Sequence, residues 1–93
     1  MAQKVRGRTI TNELQYTDAV ELTGYFNVSL SGTWDAIVTA QRSFDKGNTW
    51  FDVKIWTENV QEYGFEPEKG VYYRFGVKTA EFNTGSIVIR ASQ

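Results

Sequence analysis

The chain has 93 residues with ten basic and eleven acidic side chains, a net charge of −1, which suits one domain burying roughly 60–65 % of its unfolded surface and excludes a propeller, whose four or more blades take ~40 residues each. It contains no cysteine and no histidine, so it has no disulfide frame, no thiolate or imidazole metal site, and no Ser-His or Cys-His nucleophile pair. No apolar run approaches the ~20 residues of a membrane-spanning helix, and the first ten residues lack the apolar stretch of a signal peptide, so synthesis in a cytoplasm is expected.

Residues 1–10 carry Lys4, Arg6 and Arg8 and no acid, whereas residues 11–93 hold seven basic and eleven acidic side chains. The spacing predicts an N-terminal arm or edge strand over 1–12 and a sandwich domain over 13–93. A basic arm on an acidic body suits a strap onto an acidic neighbour, but three charges are too few to argue nucleic-acid binding. Strands are expected next over 14–22, with Val20 and Leu22 inward, and over 24–30. There Phe26, Val28 and Leu30 alternate cleanly with Tyr25, Asn27 and Ser29.

Ser31-Gly32 is read as a turn, followed by one long strand over 33–43 with Trp34, Ala36, Val38 and Ala40 on one face. The run Ser43-Phe44-Asp45-Lys46-Gly47-Asn48-Thr49-Trp50 then predicts a hairpin tip. Gly47 takes positive φ at no steric cost. Asp45 and Asn48 close the tip onto backbone amides, Ser43 and Thr49 add weaker bonds, and Trp50 lays an apolar plate on the returning strand. In this returning strand, 49–56, Phe51, Val53 and Ile55 are expected on one face and Asp52, Lys54 and Trp56 on the other. A short polar strand is expected over 58–64 and a loop around Pro67. A strand over 70–79 follows, with Val71, Tyr73, Phe75 and Val77 on one face and Tyr72, Arg74 and Lys78 on the other. A hairpin loop over 80–85 leads to a last strand over 86–92. Seven to eight short strands without a helix make an all-β, antiparallel β-sandwich, immunoglobulin-like or jelly-roll-like.

The run 43–50 resembles the Asp-box hairpin of sialidases and other β-proteins, where such a box serves folding; its residues are accordingly taken as fold elements. Tyr72 or Tyr73 ahead of a final hairpin is similar to the tyrosine region of immunoglobulin-like domains. Over residues 31–93 the chain also resembles a group of short tailed-phage virion proteins. That likeness is carried by Ser31-Gly32-Thr33-Trp34-Asp35-Ala36, by Val38 to Asp45, by Gly47-Asn48-Thr49-Trp50, by Gly64-Phe65-Glu66-Pro67-Glu68, by Gly70 to Thr79, and by Gly85 to Gln93. It implies a non-enzymatic structural part of a virion: a capsid decoration protein, a head-fibre base or a tail component. The implied partners are the major capsid protein or other virion proteins and further copies of the chain, with no nucleic acid and no membrane.

Other chemistries find less support. A glycosidase needs two carboxylates about 5–10 Å apart across a walled cleft, and nothing in the spacing of Asp35, Asp52 and Glu66 selects a pair. Sialidase action needs an arginine cluster, and Arg42, Arg74 and Arg90 do not sit in a propeller. Glycan stacking would use exposed aromatics among Trp34, Trp50, Trp56, Tyr25, Tyr63 and Tyr72, of which Trp56 and Tyr72 fall opposite their strands' most apolar residues. Calcium could find hard oxygens in Asp45, Asn48 and Asp52, without the spacing of an EF-hand. No cofactor is expected. Partner contact is assigned to Lys4, Arg6, Arg8, Trp56 and Tyr72.

Overall fold

The computed structural model describes residues 4–93. Two antiparallel sheets pack face to face, a β-sandwich, and among the described residues there is no helix. The strands are β1 (Val5–Ile10), β2 (Gln15–Tyr16), β3 (Val20–Glu21), β4 (Gly24–Ala36), β5 (Val38–Ser43), β6 (Phe51–Trp56), β7 (Val60–Glu66), β8 (Tyr72–Val77) and β9 (Phe82–Ser92). The first sheet runs β1-β9-β4-β7; the second runs β2-β8-β5-β6, with β3 also on β8. Between them lies a core that includes Leu30, Val38, Phe75, Ile87 and Ile89, each at most 1 % exposed. Period-2 alternation delivers these side chains inward from both sheets.

The predicted N-terminal arm is an edge strand over Val5–Ile10, paired with β9 along its length. Positions 1–3 of that prediction lie outside the described residues. The single strand expected over 14–22 is two short bridges to β8 instead, separated by Thr17, whose Oγ1 accepts from Phe75 N at 3.1 Å.

Two predicted turns are corrected. Ser31-Gly32 is not a turn: β4 runs straight through it, pairing with β9 from Asn27 to Ala36. Gly32 sits there at φ 107°, and a Cβ on it would strike the Ser86 carbonyl. The glycine lets two strands close up without breaking the ladder. The chain turns later, at Ile37, where it leaves the first sheet and enters the second; the expected strand 33–43 is thus two strands in two layers. Nor is 80–85 a hairpin loop. β8 and β9 lie in different sheets, and residues 78–81 carry the chain across, with β9 already extended from Phe82. The final-hairpin tyrosine reading falls with it. Tyr73 donates its hydroxyl to Glu66 Oε1 at 2.6 Å rather than to a backbone group.

Candidate interaction surface

The β5–β6 hairpin tip is built by its own side chains. Ser43 Oγ, fully buried, accepts from Gly47 N at 2.8 Å and donates to Asp45 Oδ1 at 2.6 Å. Asp45 Oδ1 also accepts from Thr49 N at 2.8 Å, and Asn48 Nδ2 donates to the Asp45 carbonyl at 3.0 Å. The Ser43 hydroxyl, with the Thr49 amide behind it, holds the Asp45 carboxyl below its ordinary range. Gly47 takes φ 94°, as its position at the tip requires, and lies under the Trp50 ring. The side-chain hydrogen bonds of Ser43, Asp45 and Asn48 are all internal to the tip; Asn48, expected to bond backbone amides, donates to a carbonyl instead.

Trp50 reaches further. It and Tyr16 sandwich the Arg74 guanidinium, whose carbon sits 4.4 and 4.0 Å from the two ring centroids. Arg74 Nε donates to Gln41 Oε1 at 2.8 Å, Gln41 Nε2 donates to Asp52 Oδ1 at 2.9 Å, and Lys78 Nζ donates to Asp52 Oδ2 at 2.6 Å. This chain of contacts tiles the outer face of the second sheet. Lys78 holds the Asp52 carboxyl below its usual range, with help from Gln41. Asp52 is therefore occupied by a lysine, and the trio Asp45, Asn48 and Asp52 does not gather around a cation position. Among the described residues no group of three or more acids does so.

A second knot is buried. Glu66, 2 % exposed, accepts from Tyr73 Oη at 2.6 Å, from Arg42 Nη1 at 3.2 Å and from Glu68 N at 3.0 Å. Burial pushes its pKa up, but these three donors outweigh burial and leave it below the ordinary value. Burial and the Glu66 hydrogen bond push the Tyr73 phenol from 10.0 to about 12. Tyr73 thus stabilises the fold fully below pH 10, and that contribution is lost as pH rises from 10 to about 12, because the unfolded chain ionises first. The stability gap between wild type and Tyr73→Phe should therefore shrink by about 2–3 kcal/mol across that window, measured by urea unfolding at stepped pH.

The open side of the sandwich lies between the two edge strands β6 and β7. Each pairs on one side only, β6 with β5 and β7 with β4. Lys54 and Trp56 Nε1 both donate across the gap to Glu62, Trp56 at 2.9 Å, and Lys54 holds the Glu62 carboxyl low. Behind this latch is a cleft of about 230 Å³ floored by Phe26, Val28, Ala40, Tyr73 and Phe75. Its floor exists because position 64 is glycine: a Cβ there would lie 2.7 Å from the Phe26 ring.

Large exposed apolar side chains lie in two clusters, Tyr25, Tyr63 and Phe65 on the outer face of the first sheet and Phe44 and Phe51 flanking the β5–β6 hairpin tip. Tyr63 is 72 %, Tyr25 69 %, Phe65 56 % and Phe51 53 % exposed, and Phe44 and Val53 about half. Tyr25 meets Tyr63 and Phe65 with ring centroids 5.9 and 4.9 Å apart, and Phe44 meets Phe51 at 6.2 Å. No family model, no curated protein and no solved structure matches this chain. The surface must be read from its own chemistry.

Of the residues assigned to partner contact, Trp56 lies at this surface, in the latch and the cleft wall, and the others do not. Lys4 Nζ donates to the Glu21 carbonyl at 2.8 Å and Arg8 Nη1 to the Tyr16 carbonyl at 2.9 Å, stitching β1 to the second sheet. Arg6 bonds the neighbouring Val5 carbonyl. Trp56, placed opposite its strand's most apolar residues, packs on the core against Phe75, and Tyr72 is half-buried on the outer face of β8. Phe51, Val53 and Ile55, expected together on one face of their strand, are all exposed. Their exposure follows from β6 being the edge strand of its sheet, exposed along its length up to Trp56; in addition the β5–β6 ladder shifts register, Ala40 facing Lys54 and Gln41 facing Asp52, with Val53 as a bulge, so Phe51 no longer shares a face with Val53 and Ile55. One extra residue breaks the period-2 alternation on which the prediction rested.

Proposed function

We propose that this chain is a non-enzymatic structural protein of a tailed-phage virion, in the first place a capsid decoration protein that binds and stabilises the assembled coat lattice. The observation that carries this reading is the exposed aromatic cluster Tyr25, Tyr63 and Phe65 beside the edge strand β7. Exposed apolar clusters mark contact with other macromolecules, and edge strands beside them favour assembly. The resemblance over residues 31–93 names the kind of assembly, with coat or other virion proteins and further copies of the chain as partners.

The acids that catalysis would need are occupied: Glu66 by Tyr73 and Arg42, Asp52 by Lys78 and Gln41, Asp35 by Asn83 Nδ2 at 2.7 Å. A tail-associated or carbohydrate-binding role is the second reading, favoured by Tyr25, Tyr63 and Phe65 beside the amides of Asn27 and Gln61 on the outer face of the first sheet. These rings tilt against one another at 54–64° rather than lying flat as sugar platforms.

The copy number per purified virion, by quantitative mass spectrometry against the coat protein, tests the first reading. About one copy per coat subunit, or about one per three, is expected of a decoration protein on a symmetric lattice. A handful of copies would move it to the tail or a unique vertex. Absence from particles would overturn the virion reading and return glycan binding to the front.

A further inference from the structure

We infer that the free edge of β7 takes up an extended segment of another protein, basic at its ends and apolar at every second residue, as one more strand of the first sheet. This deepens the assembly reading by naming the partner's chemistry, and rests on it only in taking the cluster Tyr25, Tyr63 and Phe65 for a contact; it does not require a virion.

The edge is the first argument. An edge strand leaves a row of N–H and C=O groups unpaired, and folds blunt such edges with short strands, bulges, proline or basic side chains. Three of the four sheet edges are blunted in this way. β1 carries Arg6 and Arg8, the β2 and β3 pieces are two residues each, and β6 is bulged and carries Lys54. β7 has seven residues in unbroken register with β4 and holds no proline and no basic residue. Its inward acids, Glu62 and Glu66, already pair with Lys54 and Arg42, so a strand laid beside them buries no uncompensated charge.

The outer face is the second. Gln61, Tyr63 and Phe65 alternate along it on β7, and Tyr25 lies across from Phe65 on β4. Tyr25, Tyr63 and Phe65 are 69, 72 and 56 % exposed. At roughly 200 Å² per ring residue that leaves about 400 Å² in water, within the ~300–600 Å² of patches that are often functional on a monomer. A strand added to β7 sets every second side chain beside these rings, where aromatic and β-branched pairs stabilise a sheet.

Charge is the third, and it selects the occupant. The stretch 58–68 holds Glu58, Glu62, Glu66 and Glu68 and no base. Glu58 and Glu68 flank the two ends of the strand, exposed and, among the described residues, in no ion pair. Basic residues at the ends of the incoming segment meet them. The same acids turn away a second copy. Antiparallel pairing of β7 with β7 centred on Glu62, Tyr63 or Gly64 sets an acid of one chain opposite an acid of the other, which destabilises the pairing.

The probe is a synthetic peptide, blocked at both termini, with lysine at each end and, between them, valine, phenylalanine and valine spaced by threonines. Added to the full chain, it should bind with Kd on the order of 10–100 µM and slow amide hydrogen exchange at β7, but not at β1 or β6. Three changes should each weaken binding about 10-fold or more: proline for the threonines beside the phenylalanine, which keeps the apolar row and breaks strand pairing; glutamate for the lysines; and Tyr63→Ala in the chain. Cooperative thermal unfolding checks that Tyr63→Ala folds; should it not, the two altered peptides test the same contact on the unaltered chain. No binding up to ~1 mM, slowed exchange at another edge instead, or full binding by either altered peptide or by a folded Tyr63→Ala chain would each overturn the inference. So would slowing of exchange at β7 on concentrating the chain alone, which would make a second copy the occupant. A chain that binds the peptide but is missing from particles would sink the virion reading alone; a chain abundant in particles that ignores the peptide would sink this inference alone.

Discussion

Glu66→Ala is expected to cost about 3 kcal/mol, a large share of the ~5–14 kcal/mol that holds a domain of this size together. The truncation strands three donors at once: the Tyr73 hydroxyl, which is buried, the Glu68 amide and the Arg42 guanidinium. An unpaired buried donor carries its full desolvation cost. Glu66→Gln should cost less, because its amide oxygen still accepts from Tyr73, while its nitrogen turns a donor toward the Glu68 N–H. Arg42→Met should cost least, since that side chain is 37 % exposed and its stem continues to pack. Urea midpoints at unchanged m-value would establish the order. The Glu66 carboxyl titrates below its ordinary 4.5 in the fold, so its contribution is present above that pH and is lost as pH falls through the lowered value. Glu66→Ala should accordingly lose less stability than wild type between pH 5 and 3. A variant with the wild-type acid profile would mean that other carboxylates dominate acid unfolding.

The second large effect is at Gly76. It is buried in the middle of the second sheet opposite Tyr16 and Thr39. A Cβ there would run into the Gln15 carbonyl and lie 2.7 Å from Tyr16 Cα. Both are backbone and cannot swing aside, so Gly76→Ala should cost about 3 kcal/mol. The most economical relaxation is detachment of β2 from β8. That would release the bonds from Leu14 N to the Val77 carbonyl at 2.7 Å and from Thr17 N to the Phe75 carbonyl at 2.8 Å. It would also withdraw Tyr16 from one face of the Arg74 guanidinium. Hydrogen exchange at Leu14 and Thr17 should accelerate far more than at β4 or β9. Uniform acceleration would show instead that β2 is not a separable unit.

Much of the architecture was legible in local pattern. Phe26, Val28 and Leu30 share one face, as do Val71, Tyr73, Phe75 and Val77, as their alternation predicted, and both faces turn out to be the core's. The hairpin tip at 43–49 was legible in detail, because each of its bonds joins residues within four positions of one another. Failures cluster where the chain changes layer. The step at Ile37 and the crossing at 78–81 carry no Pro or Gly, so both passed for strand interior or hairpin loop. Gly32, which looked like a turn, instead serves the close approach of β9. The roles of Lys4 and Arg8 as straps depend on carbonyls 17 and 8 residues away, which no local pattern reports.

The interaction surface shows the division most sharply. From sequence alone came the all-β class, the absence of imidazole and thiol chemistry, and the self-closing tip, since composition and short-range hydrogen bonding decide them. The exposure of Phe51 and Val53, the burial of Trp56, and the meeting of Tyr25 with Tyr63 and Phe65 were decided by tertiary structure. The edge position of β6 and its pairing of Trp56 with buried Val38 set the first two, and pairing of β4 with β7 across some forty residues sets the last. Alternation says that a strand has two faces, but only the position of the strand within the sandwich, at its edge or in its middle, says which of them meets water.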